Sequence, residues 1–222
     1  MRQSTREMFR FDLKFIFYGA VLLCVSVAKA GSYDDFFRAV QRDDPAPLQA
    51  LLARGFDPNT VDPQGRSGFA VALRANSGKA AQVLVAHPAF DVNGMNAAGE
   101  SPLMLAAIKG DLGLSRRLLE RGARLDLPGW TPLHYAASGP SSELVALLLD
   151  RGAAIDTASP NGSTPLMLAA RYGSIASAEL LLARGADARR RNQRDLSAAD
   201  FAAEAGRDAL AQALRRRTGG PR

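Results

Sequence analysis

Thr131-Pro132-Leu133-His134-Tyr135-Ala136-Ala137, followed by Leu147-Leu148-Leu149 and Gly152-Ala153, is the stretch whose reading decides the fold. Its order recurs 30 residues upstream as Ser101-Pro102-Leu103-Met104-Leu105-Ala106-Ala107, with Leu118-Leu119 and Gly122-Ala123. It recurs again 33 residues downstream as Thr164-Pro165-Leu166-Met167-Leu168-Ala169-Ala170, with Leu180-Leu181-Leu182 and Gly185-Ala186. A period near 33 marks a stack of similar units, each too small to bury its apolar face alone. Every position has a physical reason. Ser or Thr caps a helix, and Pro takes the first helical position, where a missing N–H costs nothing. The paired alanines let two short helices lie close together. The later leucines form the apolar face of a second helix, and the glycine ends it in a left-handed conformation.

Weaker copies extend the array both ways. In residues 65–93, Ser67-Gly68-Phe69 replaces the Thr-Pro-Leu start and His87-Pro88 interrupts the Gly-Ala ending. Residues 33–57 read as a terminal cap, with Phe36, Phe37, Val40, Leu48, Leu51 and Leu52 at helical spacing and Gly55 closing the second helix. At the other end, Ser197-Ala198-Ala199-Asp200-Phe201-Ala202-Ala203 lies 33 residues after Thr164, and a helix from Arg207 to Arg215 finishes the stack. Six units follow: 33–60, 62–95, 96–127, 128–158, 159–191 and 192–217, the first and last being caps and 218–222 a disordered tail. The step from Ser101 to Thr131 is three residues short. The missing residues fall in the loop Leu127-Pro128-Gly129-Trp130, which should notch any surface built from the loops.

This pattern resembles the ankyrin repeat. The resemblance implies an all-α solenoid of stacked helix-turn-helix units with β-hairpin-like loops. It also implies a protein partner bound on the concave side, at the loop tips and the exposed face of each first helix. Matched to the repeat, those positions are Gln64, Arg66, Arg74, Glu100, Ile108, Lys109, Trp130, Asn161, Arg171, Tyr172, Arg190, Arg191 and Glu204. Trp130, the sole tryptophan, has two readings. It is either an interface anchor, as exposed aromatics often are, or a cover folded down over the shortened loop.

The first thirty residues read as a targeting segment. Arg2, Arg6, Arg10 and Lys14 precede an uncharged apolar run from Phe15 to Val27, and Ala28-Lys29-Ala30 offers a cleavage site between Ala30 and Gly31. Thirteen apolar residues are too few to cross a bilayer, which takes about 20. The expectation is therefore a Gram-negative bacterial signal peptide and, once it is removed, a periplasmic or secreted protein without a membrane span; the alternative is a retained, uncleaved anchor. Cys24, the only cysteine, lies in that segment, so the mature chain could build no disulfide, thiolate nucleophile or cysteine metal site.

Little in the rest points to chemistry. A catalytic site needs converging titratable groups, and the mature chain has two histidines. His134 sits at a repeat position where it should bond between neighbouring units, and His87 precedes Pro88 in a loop. Asp34-Asp35 and Asp43-Asp44 lie near the two ends of the first helix, and Asp34-Asp35 suits the positive end of its dipole rather than acid–base work. No phosphate-binding glycine loop and no metal-ligand spacing occurs, so neither an enzyme nor a cofactor is expected. Positive charge concentrates at the C-terminal end, where residues 189–222 carry nine basic against four acidic side chains. That excess permits an alternative, an envelope protein held to anionic lipid or polymer. Nucleic acid is not expected, since no aromatic residue interleaves the arginines. The expected protein is a monomer with an unidentified protein partner.

Overall fold

The computed structural model describes residues 31–219. The segment 1–30 expected to be a targeting signal, its junction at Ala30, and residues 220–222 lie outside them. Among the described residues twelve helices pair into six units: α1 (31–41) with α2 (Pro45–Ala53), α3 (Gly68–Ala75) with α4 (Gly78–Ala86), α5 (Pro102–Lys109) with α6 (Leu112–Glu120), α7 (Pro132–Ser138) with α8 (Ser142–Asp150), α9 (Pro165–Arg171) with α10 (Ile175–Ala183), and α11 (Ala198–Glu204) with α12 (Asp208–Thr218). No strands form among the described residues. Isolated antiparallel bridges, Val61 to Ser67 and Arg191 to Ser197, mark the hairpin-like loops.

The helix starts are made as the repeat requires. Ser101 and Thr164 accept from the backbone N–H three residues on, while the sulfur of Met104 or Met167 takes the N–H of the cap residue at 3.4 Å. In α11 the reciprocal partner is Asp200, whose carboxylate accepts from the Ser197 N–H at 2.9 Å and hydroxyl at 2.7 Å. The second helices of units one, three, four and five end at Gly55, Gly122, Gly152 and Gly185, all at positive φ. The carboxylates beside the first helix serve as caps too. Asp44 caps α2, and Asp43 reaches across to the N–H of Ala80 at the start of α4, 2.8 Å away.

Successive units bury one continuous core, from Phe36, Phe37 and Val40 to Leu210 and Leu214. The first helices α5, α7, α9 and α11 pack on one another more extensively than the second helices do. Small residues permit that approach. A Cβ on Gly173 would stand 2.0 Å from the carbonyl oxygen of Ala137, so no other residue fits without moving the backbone.

One boundary is corrected. The last helix runs through Thr218, beyond the Arg215 expected, because nothing stops it before Gly219 takes the left-handed cap conformation. Arg215, Arg216 and Arg217 thus sit in its last turn, where the helix dipole favours them. Thr218 closes that last turn, and Gly219 caps it at positive φ.

Candidate functional site

Four of the loops between units are built around one polar residue five positions before the helix cap. Asp62 accepts from the N–H groups of Gln64 and Arg66, Asn96 from those of Ala98 and Glu100, and Asn192 from those of Arg194 and Leu196, at 2.8–3.1 Å. Ser159 does the same for Ser163. Such a side chain holds the tip in a fixed turn. Burial pushes the Asp62 carboxyl up, but the N–H and guanidinium of Arg66 outweigh it and hold it below the usual aspartate value. These residues were missed from sequence, although their constant offset from the cap is a readable signal.

A second ladder joins loop to loop. Asn59 donates to the Ala89 carbonyl and accepts from the Asp91 N–H, both at 2.8 Å. Asn93 donates to Gly122 and accepts from Arg124, and Asp156 accepts from the Asp187 N–H. At the shortened loop both devices fail. Among the described residues, Asp126 neither anchors its own tip nor reaches the fourth unit.

Trp130 occupies that place. It is half-buried, packs against the core, and meets the His134 ring edge-on with centroids 5.3 Å apart. His134 is fully buried. Its Nδ1 accepts from the N–H of Thr131 at 3.2 Å and lies 2.9 Å from the Thr131 hydroxyl, while Nε2 faces the Ser163 carbonyl of the next unit at 3.0 Å. A carbonyl can only accept, so Nε2 carries the proton and the ring is neutral. Burial holds its pKa below the usual histidine value. With both nitrogens committed to the joint between units, the ring has no nitrogen free for catalysis.

The other expected contact residues fall into separate groups. Gln64 and Arg66 share one loop, where Arg66 pairs with Asp62 at 2.6 Å. Arg74 ends α3 and is exposed. Lys109 reaches Asn76, and Ile108 beside it is 38% exposed. Glu100 receives the Tyr135 hydroxyl at 3.0 Å and the Asn96 amide at 2.8 Å. Burial, and then that carboxylate, push the Tyr135 hydroxyl up to about 12. Arg171, Tyr172 and Glu204 do come together: the guanidinium pairs with Glu204 and lies over the rings of Tyr172 at 5.3 Å and Phe201 at 5.8 Å. Asn161 holds its own loop, Arg190 bonds the Asp156 carbonyl, and Arg191 faces Asp195 and Asp200. The Ser197 hydroxyl most of all, then Arg191 and Arg215, hold the Asp200 carboxyl below the usual aspartate value against the upward push of burial.

Two arginines that sequence reasoning passed over act as clamps. Arg121 donates to the carbonyls of Val85, His87, Pro88 and Phe90, closing the irregular end of α4, with its guanidinium over the Phe90 ring. Arg207 does likewise for Ala169, Ala170 and Gly173 at the end of α9. Among the described residues no group of His, Cys, Asp or Glu could hold a metal ion, and no helix is long and apolar enough to cross a membrane.

The family described as ankyrin repeats in three copies matches residues 36–128 and 124–192. Similar stretches occur in human neurogenic locus notch homolog protein 4, 45% identical over 93 residues that make up 40% of this chain and 5% of that one. Human ankyrin repeat, SAM and basic leucine zipper domain-containing protein 1 is 41% identical over 85 residues, 35% of this chain and 18% of that one. Mouse ankyrin repeat and SAM domain-containing protein 6 is 32% identical over 111 residues, 48% and 13% of the two chains. The chain therefore spans under a fifth of these relatives, and the likeness is that of the repeats. Periodicity, caps, paired helices and family match agree: the chain belongs to the ankyrin-repeat family.

Proposed function

We propose that this protein is a non-catalytic protein-binding module, exported to the periplasm or beyond by its first thirty residues, that stabilises, recruits or inhibits a protein partner held on its concave side. One observation carries the binding site. Of the five large hydrophobic side chains exposed among the described residues, four lie at loops or at the ends of first helices: Val61, Met95, Ile108 and Tyr172, from 38% to 60% exposed. Exposed apolar side chains gathered on one face of a repeat array favour association. The arginine-rich start and thirteen-residue apolar run support export.

The test is capture of a partner from an envelope extract by the full chain, repeated with Ile108→Asp and Tyr172→Ala together. Loss of the captured species in the variant is expected, whereas full retention overturns the concave site. Terminal sequencing of the protein recovered from the periplasm should begin at Gly31.

A second reading rests on Arg189, Arg194, Arg216 and Arg217, which are exposed and take no part in an ion pair among the described residues. Such a cluster suits anionic lipid or polymer. Binding through it should collapse as salt rises and fall with Arg216→Gln and Arg217→Gln, leaving Tyr172→Ala without effect.

A further inference from the structure

Between the loops that lead into the second and third units lies a cleft of about 270 Å³. Its floor is Phe69, Phe90 and Leu105, and its lips are the exposed Val61 and Met95. The charged side chains lining it are Asp91 and Glu100, and neither is ion-paired among the described residues. The cleft is therefore apolar below and acidic at the rim, in a chain whose formal charge is +6.

The walls are held in place before anything binds. Tyr33 donates to the Val61 carbonyl at 3.2 Å, Asn59 stitches the two loops, and Arg121 holds the Phe90 carbonyl from behind. Glu100 is fixed by Tyr135 and Asn96, with carboxylate lone pairs to spare. A preformed cleft spares an incoming group the cost of ordering its walls. At about 270 Å³ it has room for one large side chain.

We propose that this cleft receives a bulky apolar side chain from an extended segment of a partner protein, with a neighbouring Lys or Arg of that segment set between Asp91 and Glu100. The inference rests on the protein-binding reading above and adds the chemistry of the bound segment. Apolar burial supplies the affinity, and the two carboxylates select a basic neighbour over an acidic one.

A random peptide library displayed on phage, panned against the full chain, tests this directly. Recovered peptides are synthesised with fluorescein and titrated by anisotropy against the native chain and four variants. The expected peptides share one Leu, Ile, Met or Phe with Lys or Arg within two positions. Their Kd should rise about tenfold or more with Met95→Asp and about three- to tenfold with Glu100→Gln or Asp91→Asn, and should not move with Tyr172→Ala. Met95 and Asp91 are exposed, so their variants keep the test valid if Glu100→Gln loosens the loop; a thermal melt checks each. Recovery of no binding peptide, of peptides without that pairing, or of peptides indifferent to Met95→Asp overturns the proposal. Peptides that depend on Tyr172 instead overturn the cleft while leaving the protein-binding reading in place. That reading fails separately, if the full chain captures no partner from the envelope extract.

Discussion

Two places depart from the repeat, the shortened loop at Leu127–Trp130 and the irregular ending of the second unit at His87–Phe90, and they do opposite things. The first loses its tip anchor and its link to the next loop, and the gap is filled by Trp130 resting on His134. The second adds chain where a Gly-Ala ending would close the helix. Its carbonyls are gathered by Arg121 while Phe90 turns inward to meet Phe69 with centroids 5.5 Å apart. A deletion thus removes surface features, whereas an irregular ending creates a walled cleft. The more conspicuous anomaly in sequence is the less open one in space.

That contrast can be broken most severely at the second unit. Phe90→Ala should cost about 3–5 kcal/mol, the usual range for emptying an aromatic core site, and collapse the cleft; urea unfolding measures the first and peptide titration the second. Arg121→Ala should cost about 3 kcal/mol, because several carbonyls at a helix end lose a charged donor. Arg151 holds the same cap position in the fourth unit but bonds no such set of carbonyls, so Arg151→Ala should cost less than about 0.5 kcal/mol. Equal losses for the two arginines would show that the irregular ending has no special need of its clamp.

At the shortened loop the effects are smaller and depend on pH. His134 is buried neutral, with a pKa below the value of 6.5 that it regains on unfolding. The unfolded chain therefore binds more protons, so the His134 contribution is full above pH 6.5 and is lost progressively as pH falls below it. His134→Met, which installs the residue found at the matching positions 104 and 167, should cost about 1 kcal/mol at neutral pH by removing the imidazole N–H from the Ser163 carbonyl, which then keeps only the Ser159 N–H. It should also flatten the slope of stability below pH 6.5, read from thermal melts across a pH series. Trp130→Ala should cost about 1–2 kcal/mol through lost burial and its edge contact with His134. If Trp130→Ala also abolishes partner capture without lowering stability, Trp130 is an anchor and not a cover.

Much of the fold was legible because its determinants are local. Thr164-Pro165 caps and starts a helix wherever it stands, Gly152 and Gly185 end helices in a conformation other residues resist, and Leu147-Leu148 repeats at helical spacing. The site was legible only in part. Matching positions to the repeat located Ile108, Tyr172 and the Arg171–Glu204 pair, but it passed over Val61, Met95 and Phe90, which lie in the unit that fits the repeat least. Arg121 was overlooked for the same reason: its partners lie more than thirty residues earlier, in carbonyls freed by another unit's irregular ending.

By itself, the sequence determined the repeat period, the caps that start the helices and the identity of the family, because caps, turns and apolar periodicity act within a few residues of the chain. Only the tertiary structure decided what the departures from the repeat become. Whether a missing or added segment leaves a notch, a plug or a cleft depends on which side chains from neighbouring units reach it. Those distances are set by the stacking of whole units, which local patterning does not contain.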